Sequence, residues 1–286
     1  MSEARAGLTA RAAQALDPLR LFAALAPKDP ARRLAHDAPF GPVLRHRLDV
    51  YGPTHRRGAP APVAVFYYGG SWDTGRRADY NWVGRALASR GFLAVLPDYG
   101  LYPGVRYPDF LHDSALAVRW AQDHAAELGG DPERIVLVGH SAGAYNAAMI
   151  ALDRRYLEAA GVAPERVRAM AGLAGPYDFL PLTDPIAIRI FGEAADLPGT
   201  QPTAFAGPHA PPAFLAHGSK DAMVWPRNTK RLAKALRAAG AAVEERHYDG
   251  LDHVRLVLAL SRPFRSAAPV LDEMTAFLKA HAAAER

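Results

Sequence analysis

Short, unbroken apolar runs recur along the chain, separated by longer stretches in which apolar residues return every three or four positions. The runs at 62–68 (PVAVFYY), 92–97 (FLAVLP), 134–140 (RIVLVGH) and 167–173 (VRAMAGL) have the length and composition of strands covered on both faces. Residues 212–217 (PAFLAH) are a fifth candidate, and 243–248 (VEERHY) alternates as an edge strand does. Helical spacing appears over 78–90, where Trp82, Val83, Ala86 and Leu87 turn toward the core before Gly91. It returns over 108–128, with Phe110, Leu111, Ala115, Val118, Trp120 and Leu128, over 226–239 between Pro226 and Gly240, and over 267–284. Strand and helix alternating in this way predict right-handed βαβ crossovers and a mostly parallel sheet, so the fold class is α/β.

Two regions break the rhythm. Residues 1–40 are rich in Ala and Arg and are interrupted by Pro18, Pro27, Pro30 and Pro39. They are expected to form one or two short helices that pack on the body or contribute to a lid. Residues 175–211, rich in Pro and Gly, are longer than a tight connection and read as a cap-like insertion near the site. No repeat or linker divides the remainder, so 41–286 is expected to be one catalytic domain.

Composition narrows the chemistry. A chain of 286 residues, half of them hydrophobic, buries enough surface to need no covalent staple. It has no Cys, which excludes disulfides, thiolate zinc sites and a cysteine nucleophile together. The formal charge of +5 comes mostly from Arg, in scattered pairs such as Arg32-Arg33, Arg56-Arg57, Arg76-Arg77 and Arg154-Arg155. Such scatter reads as solvated surface, so no nucleic-acid partner is expected. No stretch approaches the roughly 18 apolar residues of a membrane span. The apolar stretch Leu19–Ala26 is broken by Arg20 and preceded by Glu3, which makes a poor signal peptide, and a cytoplasmic location is expected. A homodimer is left open.

The most specific motif is Gly139-His140-Ser141-Ala142-Gly143, a G-x-S-x-G between a strand candidate and a helix of small residues. In that strand–turn–helix context Ser141 is a nucleophile held in a strained turn, its hydroxyl exposed and the helix N-terminus behind it. Without that context the pentapeptide is equally a plain tight turn. Residues 67–75 (YYGGSWDTG) follow the strand at 62–66, and their paired glycines let backbone N–H groups approach a reacting oxygen. Gly70, Ser71 and Ala142 are the expected oxyanion donors. The acid and base should follow in the order Ser, acid, His. Asp221 lies 80 residues past Ser141, in a polar turn after the strand at 212–217, and His253 lies 32 residues further on. Asp249 and Asp252 compete for the acid's role, but Asp252 sits too close to His253 to orient it comfortably. His140 is expected to point away from the nucleophile, His217 to help hold the acid's loop, and Asp98, ending a strand, to be structural.

The oxyanion loop, Pro97-Asp98-Tyr99-Gly100-Leu101-Tyr102-Pro103, Gly129-Gly130-Asp131-Pro132, the elbow and the Asp and His loops occur here in the order found in carboxylesterases of the α/β-hydrolase fold. Over about residues 40–280 the chain resembles the hormone-sensitive-lipase-like, feruloyl-esterase-like, isoprenylcysteine-methylesterase and kynurenine-formamidase groups. The resemblance implies a cofactor-free hydrolase that forms an acyl-enzyme on Ser141, with 175–211 covering the acyl pocket. It also marks departures. Tyr68 and Ser71 stand in a loop that is usually His-Gly-Gly-Gly, and Gly100 replaces the Arg of Asp-Tyr-Arg, removing a structural side chain. His140 replaces the Asp usual in hormone-sensitive-lipase relatives, which points toward the methylesterase and formamidase groups.

Apolar and aromatic residues beside these motifs suit a small apolar acyl or aromatic group. Trp72, Tyr145, Tyr177, Val224 and Trp225 are the substrate-binding candidates, with Phe179, Phe191 and Met223 nearby. Core packing is the competing reading for all of them. The expected activity is hydrolysis of small to medium carboxylic esters. An arylformamidase-type amidase would use the same triad, and a non-catalytic binding protein of the same fold would have lost a triad member.

Overall fold

In the computed structural model the described residues are 18–55 and 58–283. The six runs anticipated from hydrophobic pattern are all strands: β3 (Ala61–Tyr67), β4 (Leu93–Pro97), β5 (Gly130–His140), β6 (Val167–Leu173), β7 (Ala213–Gly218) and β8 (Val243–Tyr248). Two more precede them, β1 (Arg32–Pro39) and β2 (Arg47–Gly52). Together they form one sheet in the order β1-β2-β4-β3-β5-β6-β7-β8. The pairs β1/β2 and β2/β4 are antiparallel; every other neighbouring pair is parallel. This is the mostly parallel sheet of the α/β-hydrolase fold.

The expected helical segment at 1–40 needs correction. Helix α1 (Pro18–Leu25) is there, and residues 1–17 lie outside the described residues, but 32–39 is an edge strand rather than helix. The sheet therefore begins before residue 41. β1 carries polar and half-exposed side chains, has Asp37 at φ 53°, and loses register with β2 in two places. Its pairing is made by main chain, so its side chains left no alternation to read.

Helices α2 (Asn81–Ser89), α3 (Asp109–Leu128), α7 (Arg227–Ala238) and α9 (Val270–Ala283) match the expected spacings. α3 buries Phe110, Leu111, Ser114, Ala115, Val118 and Ala121 along one stripe and stops at Gly129, whose φ is 85°. α4 (Ala142–Leu152), by contrast, is buried on every side. It crosses beneath the sheet's centre, where small side chains let helix and strands approach closely. The insertion 175–211 holds a single short helix, α6 (Pro185–Phe191), and two one-turn 3₁₀ segments at Pro198–Thr200 and Pro202–Phe205. Helix α5 (Arg154–Ala159) and helix α8 (His253–Leu258) complete the set among the described residues.

Candidate active site

The C-terminal ends of β5, β7 and β8 bring together three segments far apart in sequence. Ser141 follows β5 directly and sits at φ 55°, ψ −124°, a backbone conformation that costs a non-glycine residue about 1–3 kcal/mol. The fold keeps it there from both sides. Ser141 N donates to Leu173 O at the end of β6 (2.9 Å), and Ser141 O accepts from Ala144 N and Tyr145 N in the first turn of α4. A Cβ at Gly143 would lie 2.1 Å from Tyr67 O, so the strand-to-helix turn closes against β3 only with glycine there.

The expected acid and base, Asp221 and His253, come from the next two strand ends. β7 and β8 pair through His217↔His247 and Gly218↔Tyr248, and the loops beyond stay joined by Ser219 N to Tyr248 O and Lys220 N to Leu251 O, both 2.9 Å. This brings His253 Nδ1 within 2.7 Å of Asp221 Oδ2, and both residues are buried. Asp221 Oδ1 accepts from Met223 N and Val224 N at 2.9 Å, and Oδ2 also faces His217 Nε2 at 3.1 Å. Burial opposes charge on Asp221, yet the bonds from His217, His253 and Val224 outweigh it and hold its pKa well below the ordinary carboxylate range. With Asp221 ionised, Nδ1 of His253 carries the proton and Nε2 is left as the acceptor a general base requires.

Two further histidines hold this pair. His217 Nε2 is 2.7 Å from Val224 O, which can only accept, so this nitrogen bears the hydrogen and Nδ1 accepts from Thr229 Oγ1 at 2.8 Å. By the same reasoning His140 Nε2 donates to His253 O at 3.2 Å, with Tyr80 Oη 3.4 Å from its Nδ1. Burial, reinforced by the like charge His253 can carry, pushes the His140 pKa down from 6.5 to about 3. His140 is thus a neutral link from the turn after β5 to the main chain of His253, a role the sequence did not reveal. The rival carboxylates have other work: Asp249 accepts from Ser219 Oγ at 2.9 Å, and Asp252 caps α8 by accepting from Arg255 N at 2.8 Å. Asp98 is structural as expected, binding Arg77 N at 2.7 Å.

The loop after β3 abuts Ser141: a Cβ at Gly69 would lie 2.9 Å from Ser141 Cβ. Gly70, Ser71 and Trp72 follow with φ of 130°, 50° and 59°. Gly70 O accepts from Asp73 N and Thr74 N, so the Ser71 N–H of the same planar peptide points away from that turn. Trp72 Nε1 donates to Asn146 Oδ1 at 2.9 Å, fastening the loop to the buried face of α4.

The five substrate-binding candidates separate into three places. Trp72 and Tyr145 meet edge to face at 5.2 Å, and Phe191 of the insertion packs edge to face on Trp72 at 4.9 Å and on Tyr145 at 5.5 Å. Tyr177 is sealed in the core over Gly172 and Gly175, and so packs rather than lines a pocket. Val224 uses its main chain to hold Asp221 and His217, while Trp225 is 62% exposed beside Arg227. A cavity of about 930 Å³ beside the N-terminal ends of β3 and β4, lined by Arg32, His55, Arg90, Arg134 and Lys279, contains none of Ser141, Asp221 and His253. Among the described residues no three His, Asp or Glu cluster as metal ligands, and no helix is long and apolar enough to cross a membrane.

Known proteins share this arrangement's frame. The chain is 32% identical over 241 residues to a probable isoprenylcysteine alpha-carbonyl methylesterase of Oryza sativa subsp. japonica, covering 77% of this chain and 56% of that protein. It is also 32% identical over 236 residues to the esterase LipQ of Mycobacterium tuberculosis, covering 74% and 56%. The chain thus spans about half the length of these curated relatives. Esterase B from Lactobacillus rhamnosis superimposes with a TM-score of 0.82 at 21% identity, over 97% of this chain and 94% of that one. A Pyrobaculum calidifontis esterase gives 0.72 at 23%, over 93% and 90%. The family model BD-FAE matches residues 48–236, two thirds of the sequence, and the chain belongs to that family of the α/β-hydrolase fold.

Proposed function

We propose that this protein is a serine-dependent carboxylic ester hydrolase that acts on small to medium esters through an acyl-enzyme. The observation that carries the reading is the 2.7 Å bond from His253 Nδ1 to Asp221 Oδ2, made beside a serine held at φ 55°. Ser141 Oγ attacks the ester carbonyl as His253 Nε2 takes its proton. Gly70, Ser71 and Ala142 N–H groups receive the oxyanion. Collapse breaks the bond to the leaving alkoxide, which takes the proton from His253. Water, deprotonated by the same nitrogen, then attacks the acyl-enzyme and frees the acid and Ser141.

The relatives named above, esterases or a probable methylesterase, support ester as the substrate class. Assay on p-nitrophenyl esters from acetate to decanoate, beside Ser141→Ala, tests the reading. Wild-type turnover with a short-chain optimum, absent from the variant, is the expected result. Turnover that survives Ser141→Ala would refute it. Silence on every ester with hydrolysis of N-formyl arylamines would move the reading to the amidase, and silence on both would favour the binding protein.

A further inference from the structure

We infer that Arg45, in the turn between β1 and β2, is the positioning residue that holds the oxyanion loop in its reactive shape; the inference rests on the esterase reading above. Its guanidinium is shared among three acceptors distant in sequence. Nε donates to Tyr99 O at 2.6 Å, and Nη2 donates to Tyr68 Oη at 2.7 Å and to Gly75 O at 2.9 Å. Tyr68 opens the loop and Gly75 closes it, so one rigid, planar cation spans both ends. Between them run the three positive φ angles at Gly70, Ser71 and Trp72, two of them at non-glycine residues. Such backbone persists where its surroundings over-determine it, and a clamp across its ends does that.

The stretch after β4 is tight at Gly100, where a Cβ would lie 2.7 Å from both Asp113 Oδ2 and Val105 Cγ2, so a larger residue would have to displace them. The turn that delivers Arg45 is fixed to the same stretch: His46 Nε2 bonds Asp113 Oδ1 at 2.8 Å, and Gly100 N donates to Asp113 Oδ2 at 2.8 Å. The phenol of Tyr68, stacked on Tyr99 at 4.7 Å, supplies the side-chain acceptor for Arg45. Tyr99 Oη donates back to Tyr68 O at 2.8 Å and completes the brace. Arg45 acts through the loop's backbone, without contacting the reacting atoms.

The test is steady-state kinetics of Arg45→Ala, Arg45→Lys and Tyr68→Phe on a p-nitrophenyl ester, with inhibition by an alkylboronic acid that forms a tetrahedral adduct on serine. Oxyanion donors act on the tetrahedral species and not on bound substrate. Arg45→Ala should lower kcat about 10- to 100-fold with KM within about twofold, and weaken the boronate by the same factor as kcat. Arg45→Lys keeps the charge without the fork and should recover part of both; Tyr68→Phe should fall between Arg45→Ala and wild type. A lowered melting temperature with kcat and boronate affinity unchanged would make Arg45 merely structural and overturn the inference. If Arg45→Ala does not fold, the other two variants decide it on the same two readouts. A wild-type protein without Ser141-dependent turnover would defeat the esterase reading, and this inference with it.

Discussion

The two halves of the site are held by different physics. On the acid–base side, at the ends of β7 and β8, position is set by directed bonds between polar groups. Asp221 receives N–H groups from His253, His217, Met223 and Val224, and Asp249 and Asp252 shape the loops around it. On the oxyanion side, after β3, strained backbone is clamped at its ends by Arg45 and packed along its length by rings: Trp72 against Tyr145 and Phe191, Tyr68 against Tyr99 and Tyr80. The first side should respond to changes in proton inventory, and the second to changes in volume or to loss of the Arg45 clamp. That contrast can be broken or sharpened by substitution.

The largest effects belong to the polar side. His253→Ala should lower kcat about 10⁵- to 10⁶-fold with the fold retained, as steady-state rates and a melting curve would record. Asp221→Asn should cost about 10⁴-fold, because an amide cannot accept from every N–H around it and favours the wrong tautomer of His253. Asp249→Asn, beside it, should leave kcat near wild type; the reverse ranking of the two would assign the acid to Asp249.

Next comes the aromatic side. Phe191→Ala should destabilise by about 3–5 kcal/mol in denaturant titration, since it empties a site touched by Trp72, Phe110, Tyr145 and Phe179. Among molecules that remain folded, the acyl-chain optimum should move to longer esters. An unchanged optimum would separate this aromatic cluster from the acyl pocket.

Smaller effects sharpen the pH behaviour. His140 titrates at about 3 when folded and near 6.5 when unfolded, so the unfolded chain binds the extra proton between those values. The stability it contributes is therefore complete above pH 6.5 and is lost as pH falls toward 3. At pH 5 the loss is about 2 kcal/mol. Asp221, whose pKa is also depressed, loses its contribution only below the ordinary carboxylate range, so it does not enter between pH 7 and 5. Unfolding free energies at pH 7 and 5 should thus differ by about 2 kcal/mol more in wild type than in His140→Gln; equal differences would show that His140 is not held neutral. Last, Asp252→Ala should cost about 1 kcal/mol through the lost cap of α8, with activity intact.

The same contrast governs what the sequence made legible. Strands buried on both faces, such as β3 and β5, announce themselves as apolar runs; Ser141 and Asp221 sit in turns off strand ends, whereas His253, expected on a loop, opens α8 behind its cap Asp252. β2 was missed although Leu48 and Val50 alternate with Asp49, because that buried Asp49 reads as polar until its partners Arg77 and His36 are known. Arg45 was invisible for a related reason. Its three acceptors lie 23 to 54 residues away, and the two that are main-chain oxygens give no letter to read. Tyr145 and Tyr177 are drawn fully into the core and Trp225 into solvent, since an aromatic letter carries volume but no direction.

The central claim is that Ser141, and no other residue, is the nucleophile that His253 activates. Intact-mass spectrometry after exposure to a fluorophosphonate, followed by peptide mapping, tests it most directly. One adduct per chain on Ser141, absent from Ser141→Ala and formed far more slowly by His253→Ala, is the predicted result. An unlabelled Ser141 in a folded wild-type protein, or labelling at another residue that persists in Ser141→Ala, would contradict it.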